Sequence, residues 1–133
     1  MNKVIQVFSA VAAAACGFLW GQIDGLFYAL VAFMILDYIT GVLVAIAQHE
    51  LSSKVGFKGI CKKAVILVFV AVGHIVDEYV LHSDALCRSA VAGFYLANEG
   101  LSILENGHFL GLPLPKKLVS VLEQLKEIND KEE

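Results

Sequence analysis

Residues 26–47 read LFYALVAFMILDYITGVLVAIA, a run of 22 residues in which Asp37 is the one charged side chain. As an α-helix this segment extends about 33 Å, which is enough to cross the ~30 Å hydrocarbon core of a bilayer. The rest of the chain agrees, because 58% of its 133 residues are hydrophobic and only 17% are charged. A soluble domain of this size needs more charged surface. The sequence therefore predicts an all-α integral membrane protein.

Three further apolar segments accompany this one and predict about four short transmembrane helices in total. They cover approximately residues 4–20, 61–81 and 85–105. A polar connection is expected at 48–63, because this stretch contains four lysines and two glycines, Gly56 and Gly59, which tend to break helices. The first segment also fits a cleaved signal peptide, since a lysine precedes an apolar stretch that contains small-residue cleavage patterns.

The C-terminal part of the chain differs in character from these segments. After a Gly/Pro loop, Lys116 to about Ile128 has apolar residues on one side and charges on the other, which predicts a short amphipathic helix. We expect it to lie on a membrane surface, to pair with a copy of itself, or to remain a solvated tail. The predicted division is a transmembrane unit at 1–110 and a cytoplasmic tail at 111–133.

The distribution of basic residues predicts the orientation of the chain. Cytoplasmic loops of membrane proteins carry an excess of lysine and arginine. Four crossings with both termini in the cytoplasm place nine of the ten basic residues inside and leave only Arg88 outside. Three crossings keep eight of ten inside, so the count favours a cytoplasmic C-terminus strongly and four crossings mildly. The predicted membrane-surface basic residues are Lys54, Lys58, Lys62, Lys63, Lys116 and Lys117.

No pattern of residues predicts catalysis. The chain lacks a Gly-rich phosphate loop, a nucleophile elbow and an HExxH motif, and its three cysteines have no metal-ligand spacing. His74 with Asp77 or Glu78 offers only two potential metal ligands. No basic patch with interleaved aromatic residues suggests nucleic acid. We therefore expect no enzyme activity, no cofactor, no metal and no nucleic-acid partner.

Polar residues inside the predicted spans are the candidate functional residues. Asp37 lies at the centre of its helix, where an aspartate costs about 2.5–3.5 kcal/mol to insert unless it is compensated. His74 or Arg88 could pair with it. The fourth segment carries a polar stripe at helical steps of four and three, which needs a partner or water. The candidate pore-lining or gating residues are Asp37, His74, Arg88, Tyr95, Glu99, Ser102 and Asn106.

Four segments together resemble a known family. They are 37–45 (DYITGVLVA), 52–63 (SSKVGFKGICKK), 98–106 (NEGLSILEN) and the loop at 111–118 (GLPLPKKL). In this order they resemble the toxin-secretion/phage-lysis holins of Gram-positive bacteria and their phages. The resemblance implies a protein that oligomerises in the bacterial cytoplasmic membrane and opens lesions there. Its functional partner would be a released endolysin or an exported toxin.

Two other classes of protein also fit parts of the sequence. A small proton-coupled multidrug-type transporter has four helices and one buried carboxylate, a part that Asp37 could play. In such a transporter the carboxylate is expected in the first helix, whereas here that helix has no ionisable group between Lys3 and Asp24. A non-enzymatic anchoring subunit would explain the lysine-rich connection but not the polar stripe. The holin is therefore the preferred interpretation.

Overall fold

The computed structural model describes residues 2–132, and their side chains for residues 2–128. All regular secondary structure of the described chain is helical, as predicted, and comprises five α-helices. A short π-helical turn, Asp77–Leu81, continues the third of them. The α-helices are α1 (Lys3–Trp20), α2 (Gly25–Ala47), α3 (Ser53–Val76), α4 (Leu86–Phe109) and α5 (Lys116–Glu132).

Helix α1 packs along α3 and is otherwise open to its surroundings. Every residue from Val4 to Phe18 is exposed, which suits an apolar helix that faces lipid. Its C-terminal end is fixed, because the Trp20 indole N–H donates to the backbone oxygen of Leu67 at 2.9 Å. Gly21 follows with φ +70°, and a Cβ there would lie 2.6 Å from the His74 ring. Only glycine fits this turn.

Helices α2 and α4 form the centre of the bundle and run parallel. Asp24, at the start of α2, lies beside Arg88 at the start of α4, and Thr40 lies beside Asn106 near the end of α4. Between these contacts the two helices bury an apolar core together with α3. The core residues are Phe27, Leu30, Met34, Ile66, Val70 and Ala92.

Helix α3 begins at Ser53 rather than near Cys61, so the predicted connection at 48–63 is mostly helix. The Ser52 hydroxyl accepts a hydrogen bond from the Val55 amide at 3.2 Å and caps the first turn. Gly56 and Gly59 do not break the helix. They admit the Tyr38 ring instead, since a Cβ on Gly56 would lie 3.1 Å from the Tyr38 hydroxyl. The lysines expected in a loop therefore lie on the first turns of α3.

The turn between α3 and α4 is organised by one buried carboxylate. Asp77, 2% exposed, accepts hydrogen bonds at 2.8 Å from the Ser83 hydroxyl and from the backbone amides of Cys87 and Arg88. Those two amides belong to the first turn of α4, where no helical acceptor is available. Asp77 thus caps α4 from the preceding turn and orders the reversal of the chain.

Helix α5 is formed as predicted, and its apolar side packs against α4 of the same chain. Leu122 is 7% exposed and lies over Gly100, where a Cβ would meet its side chain at 3.0 Å. Lys126 lies 5.6 Å above the Phe94 ring. The small residues on this face of α4 allow the close approach.

Three helical segments are long and apolar enough to cross a membrane: Lys3–Trp20, Gly25–Ala47 and Ser53–Leu81. Helix α4 has the length but carries Arg88, Glu99 and Glu105. Two of these charges are paired with other helices, as described below. Four crossings therefore remain a prediction, and the multi-helix membrane character of the chain is supported.

Candidate functional site

The candidate site is an ion cluster at which α2, α3 and α4 meet. Lys63 of α3 donates from its Nζ to Asp37 Oδ2 of α2 at 2.9 Å and to Glu99 Oε2 of α4 at 2.8 Å. The Lys63 and Asp37 side chains are 17% and 15% exposed, and that of Glu99 is 5% exposed. One ammonium group thus bridges two largely buried carboxylates.

The other carboxylate oxygen of Asp37 is also occupied. Asn106 of α4 donates from Nδ2 to Asp37 Oδ1 at 3.1 Å and to the Thr40 hydroxyl at 2.8 Å. Thr40 in turn donates to backbone oxygens of its own helix, that of Leu36 at 2.9 Å among them. Each helix therefore contributes at least one polar group, and no buried side-chain nitrogen or oxygen in the described residues is without a partner.

The cluster lines a cavity of about 760 Å³ that is bordered by α2, α3 and α4. The structure brings five of the predicted candidates together in this cavity, and their pore-lining or gating role stays a prediction. They are Asp37, Tyr95, Glu99, Ser102 and Asn106. Tyr95 also packs against Phe69 of α3, with ring centroids 6.1 Å apart.

The sequence predicts Lys63 at the membrane surface, whereas the structure places it in the ion cluster. Its partners are Asp37 and Glu99, whereas His74 and Arg88 had been considered for Asp37. A signal was present, because Lys63 lies on the same helical face as Val70 and Asp77, which are 0% and 2% exposed. Its neighbour Lys62 is exposed, so the two adjacent lysine side chains lie in different environments.

Arg88 and His74 are not among the residues that line the cavity. Arg88 is 3% exposed and ties the start of α4 to the turn between α1 and α2. Its Nε donates to the Trp20 backbone oxygen at 2.7 Å, and its Nη1 donates to Asp24 Oδ2 at 3.1 Å. His74 packs against Gly21 at the same end of the bundle. The predicted polar stripe of α4 is thus divided between two separate clusters.

Asp24 has two functions at this end of the bundle. Its carboxylate accepts a hydrogen bond from the Phe27 amide at 3.0 Å and so caps α2. This hydrogen bond, and then the Arg88 guanidinium, hold the pKa of Asp24 below its ordinary value of 3.8. Asp24 is therefore ionised at neutral pH.

The charges of the ion cluster decide what it can do. Asp37, Lys63 and Glu99 sum to −1 when all three are ionised, and such charges persist in a membrane only if they are paired or hydrated. Intact, the cluster joins three helices. Separated, it presents three polar groups that require water. Within the described residues no group of three or more His, Cys, Asp or Glu side chains could hold a metal ion.

Comparison with known proteins places these residues in a family context. The sequence profile of the bacteriophage holin family matches residues 14–127, which include the whole ion cluster and the Arg88 contacts. The chain belongs to the bacteriophage holin family. This confirms the resemblance drawn from the four sequence segments.

Relatives of this holin-family chain have similar lengths. An uncharacterized protein of Listeria innocua is 46% identical over 122 residues, covering 92% of this chain and 86% of the relative. An uncharacterized protein of Halalkalibacterium halodurans is 37% identical over 130 residues, covering 95% and 96%. A protein of Bacillus phage phi105 named probable holin is 33% identical over 116 residues, covering 87% and 84%. No solved structure matches this holin-family chain.

Proposed function

We propose that the chain is a holin: several copies assemble in the bacterial cytoplasmic membrane and open lesions through which an endolysin or a large toxin passes. Both termini lie in the cytoplasm, and α4 is the fourth crossing. Membership of the holin family supports this role, as does the name of the phage phi105 relative. The observation that carries the proposal is the polar cluster of Asp37, Lys63 and Glu99 buried between spanning helices.

In the inactive form, the cluster satisfies its own charges within one copy. The two carboxylates share Lys63, and Asn106 occupies the remaining oxygen of Asp37. Lipid therefore meets few polar groups, and the monomer is stable in the bilayer. The exposed apolar residues of α1 provide surface for lipid or for neighbouring copies.

In the open form, the same polar faces border a common water-filled lumen. Hydration replaces the lost contacts of Lys63 and the carboxylates, because charged groups that line water avoid the cost of burial in hydrocarbon. Each added copy brings another polar face to the lumen, so opening depends steeply on protein concentration. Tyr95, Ser102 and Asn106 then join the cluster as lumen-facing groups.

The cluster also bears on the multidrug-type transporter. A proton-exchange site needs a carboxylate that is free to take up a proton or a cationic substrate. Here both carboxylates already bind a lysine, and Asp37 lies on the second helix. These contacts favour the lesion-forming role.

Induced expression in a bacterium with a co-expressed cytoplasmic peptidoglycan hydrolase tests this function. We expect abrupt loss of membrane potential, followed by lysis only in cells that contain both proteins. Lys54→Met, which alters an exposed lysine outside the cavity lining, is the matched control for cluster variants and should behave like the unaltered chain. Efflux of a cationic dye without loss of potential would reject the holin and support the transporter.

A further inference from the structure

The cavity above the ion cluster has a second set of features that the cluster does not use. Its side walls are apolar and come from facing helices: Val42 and Ala45 of α2, and Val55, Val65 and Phe69 of α3. Its volume of about 760 Å³ lies within the range of small-molecule binding sites, which is about 300–1,000 Å³. This cavity, called the crevice below, therefore has room for an amphiphilic ligand and apolar walls that can contact an acyl chain.

Two exposed lysines, Lys58 and Lys62, form what we call the rim of this crevice. Lys58 and Lys62 both line it and are one helical turn apart on α3, so their ammonium groups can reach one anion. Both are exposed, and neither takes part in a salt bridge within the part of the chain whose side chains are described. Lys63, by contrast, is engaged by two carboxylates. The rim thus carries two positive charges that have no protein counter-ion there.

We propose that this crevice binds one anionic phospholipid. The phosphate lies between Lys58 and Lys62, and an acyl chain follows the apolar walls toward Val65 and Phe69. Basic pockets between transmembrane helices are suited to anionic lipid head groups, and lysines near helix ends extend toward the interface. The apolar walls select a lipid over a free anion, because a soluble phosphate would leave them unoccupied.

Polar groups of α4 add to the expected preference. Asn98 and Ser102 line the cavity on the α4 side, on the turns next to Glu99. Their side chains can hydrogen-bond the hydroxyls of a glycerol head group, whereas the two rim lysines repel an ammonium head group. A phosphatidylglycerol-type lipid therefore fits better than phosphatidylethanolamine. This inference does not depend on the proposed lytic role, since a lipid site can exist in any membrane protein.

Native mass spectrometry of the full chain tests the lipid site. The protein is released from micelles doped with dioleoyl phosphatidylglycerol, dioleoyl phosphatidylethanolamine or sodium phosphate. We expect one phosphatidylglycerol to remain bound. The double variant Lys58→Gln/Lys62→Gln should bind it roughly 30-fold more weakly, because each lysine near a lipid surface contributes about 1 kcal/mol. Ala45→Phe, which fills the apolar wall, should weaken binding without changing any charge.

The matched control is Lys54→Gln/Lys116→Gln, which removes the same charge from positions outside the crevice lining. It should retain the lipid. Equal loss in both double variants would show general surface attraction and overturn the proposal. Equal retention of phosphatidylethanolamine, competition by sodium phosphate alone, or unchanged binding by Ala45→Phe would also overturn it.

Discussion

Lys63 of α3 and Glu99 of α4 meet at 2.8 Å, and the same ammonium reaches Asp37 of α2 at 2.9 Å. One lysine therefore determines how three helices pack. Removing it would leave two carboxylates close together with no cation between them.

Lys63→Met is expected to lower the free energy of unfolding by about 3–5 kcal/mol, the usual cost of leaving a buried charge without its partner. Denaturation of the purified chain in detergent, followed by circular dichroism, measures this. Lys54→Met should change stability little. In the double variant Lys63→Met/Glu99→Gln, part of the loss should be recovered. Strictly additive effects would show that the two residues are not coupled.

Asp37→Asn keeps the size of the side chain and its ability to accept from Asn106, but it removes one charge of the cluster. We expect normal insertion and a clear shift in the time of lysis after induction, because the polar cluster is rearranged on opening. The measurement is optical density against time at equal membrane abundance, with membrane amounts compared by immunoblot. Unchanged timing would assign Asp37 a purely structural role.

Asp24 makes a stability contribution whose pH dependence has a definite sign. Its pKa in the folded chain is below 3.8, so the contribution is complete above that pH and is lost as the pH falls through the lowered pKa. At pH 7, Asp24→Ala should be less stable than the unaltered chain by about 1 kcal/mol through loss of the α2 cap. The difference in melting temperature should narrow below about pH 3.8. A difference that is constant down to pH 2 contradicts this assignment.

Water access to the stripe of α4 should change on triggering. In a background in which the three native cysteines are replaced, cysteines at positions 99, 102 and 106 should react with a water-soluble thiol reagent only after triggering. Cysteine at Leu101, on another face of α4, should stay protected throughout. Reactivity without helical periodicity would mean that the stripe is a static packing surface.

The proposed topology can be tested in intact cells with the same cysteine-free background. Labels at Gln22 and Ser83 should react from outside, since both lie in turns at the Arg88 end of the bundle. Labels at Ser53 and Leu114 should react only after the cells are made permeable. External labelling at Leu114 would reverse the expected position of the C-terminal part.

The sequence alone was sufficient for the helical architecture and for the grouping of four of the five polar residues in the stripe of α4. Glu99, Ser102 and Asn106 follow helical steps, and the structure places them on one cavity. Helical periodicity carries this information because it depends only on neighbours along the chain. The association of Arg88 with Asp24, 64 residues away, depends on how helices pack and could not be read in this way.

The position of Lys63 was missed because the lysines at 54, 58, 62 and 63 were assigned together to the membrane surface. A helix that begins at Ser53 rather than Cys61 continues through the whole lysine-rich segment. Successive residues then point about 100° apart, so Lys62 faces outward and Lys63 faces the carboxylates. The docking of α5 on α4 was missed for another reason. It depends on the absence of a side chain at Gly100, against which Leu122 packs.

Because of the hydrogen bonds of Arg88, we expect the two ends of the bundle to differ in stiffness. At one end, Arg88 binds the α1–α2 turn while Asp77 secures the backbone of the α3–α4 turn. At the other end, residues of α2, α3 and α4 line a cavity of about 760 Å³. We therefore expect a small rotation of α3 about the Arg88 end to displace its lysine-bearing first turns the most.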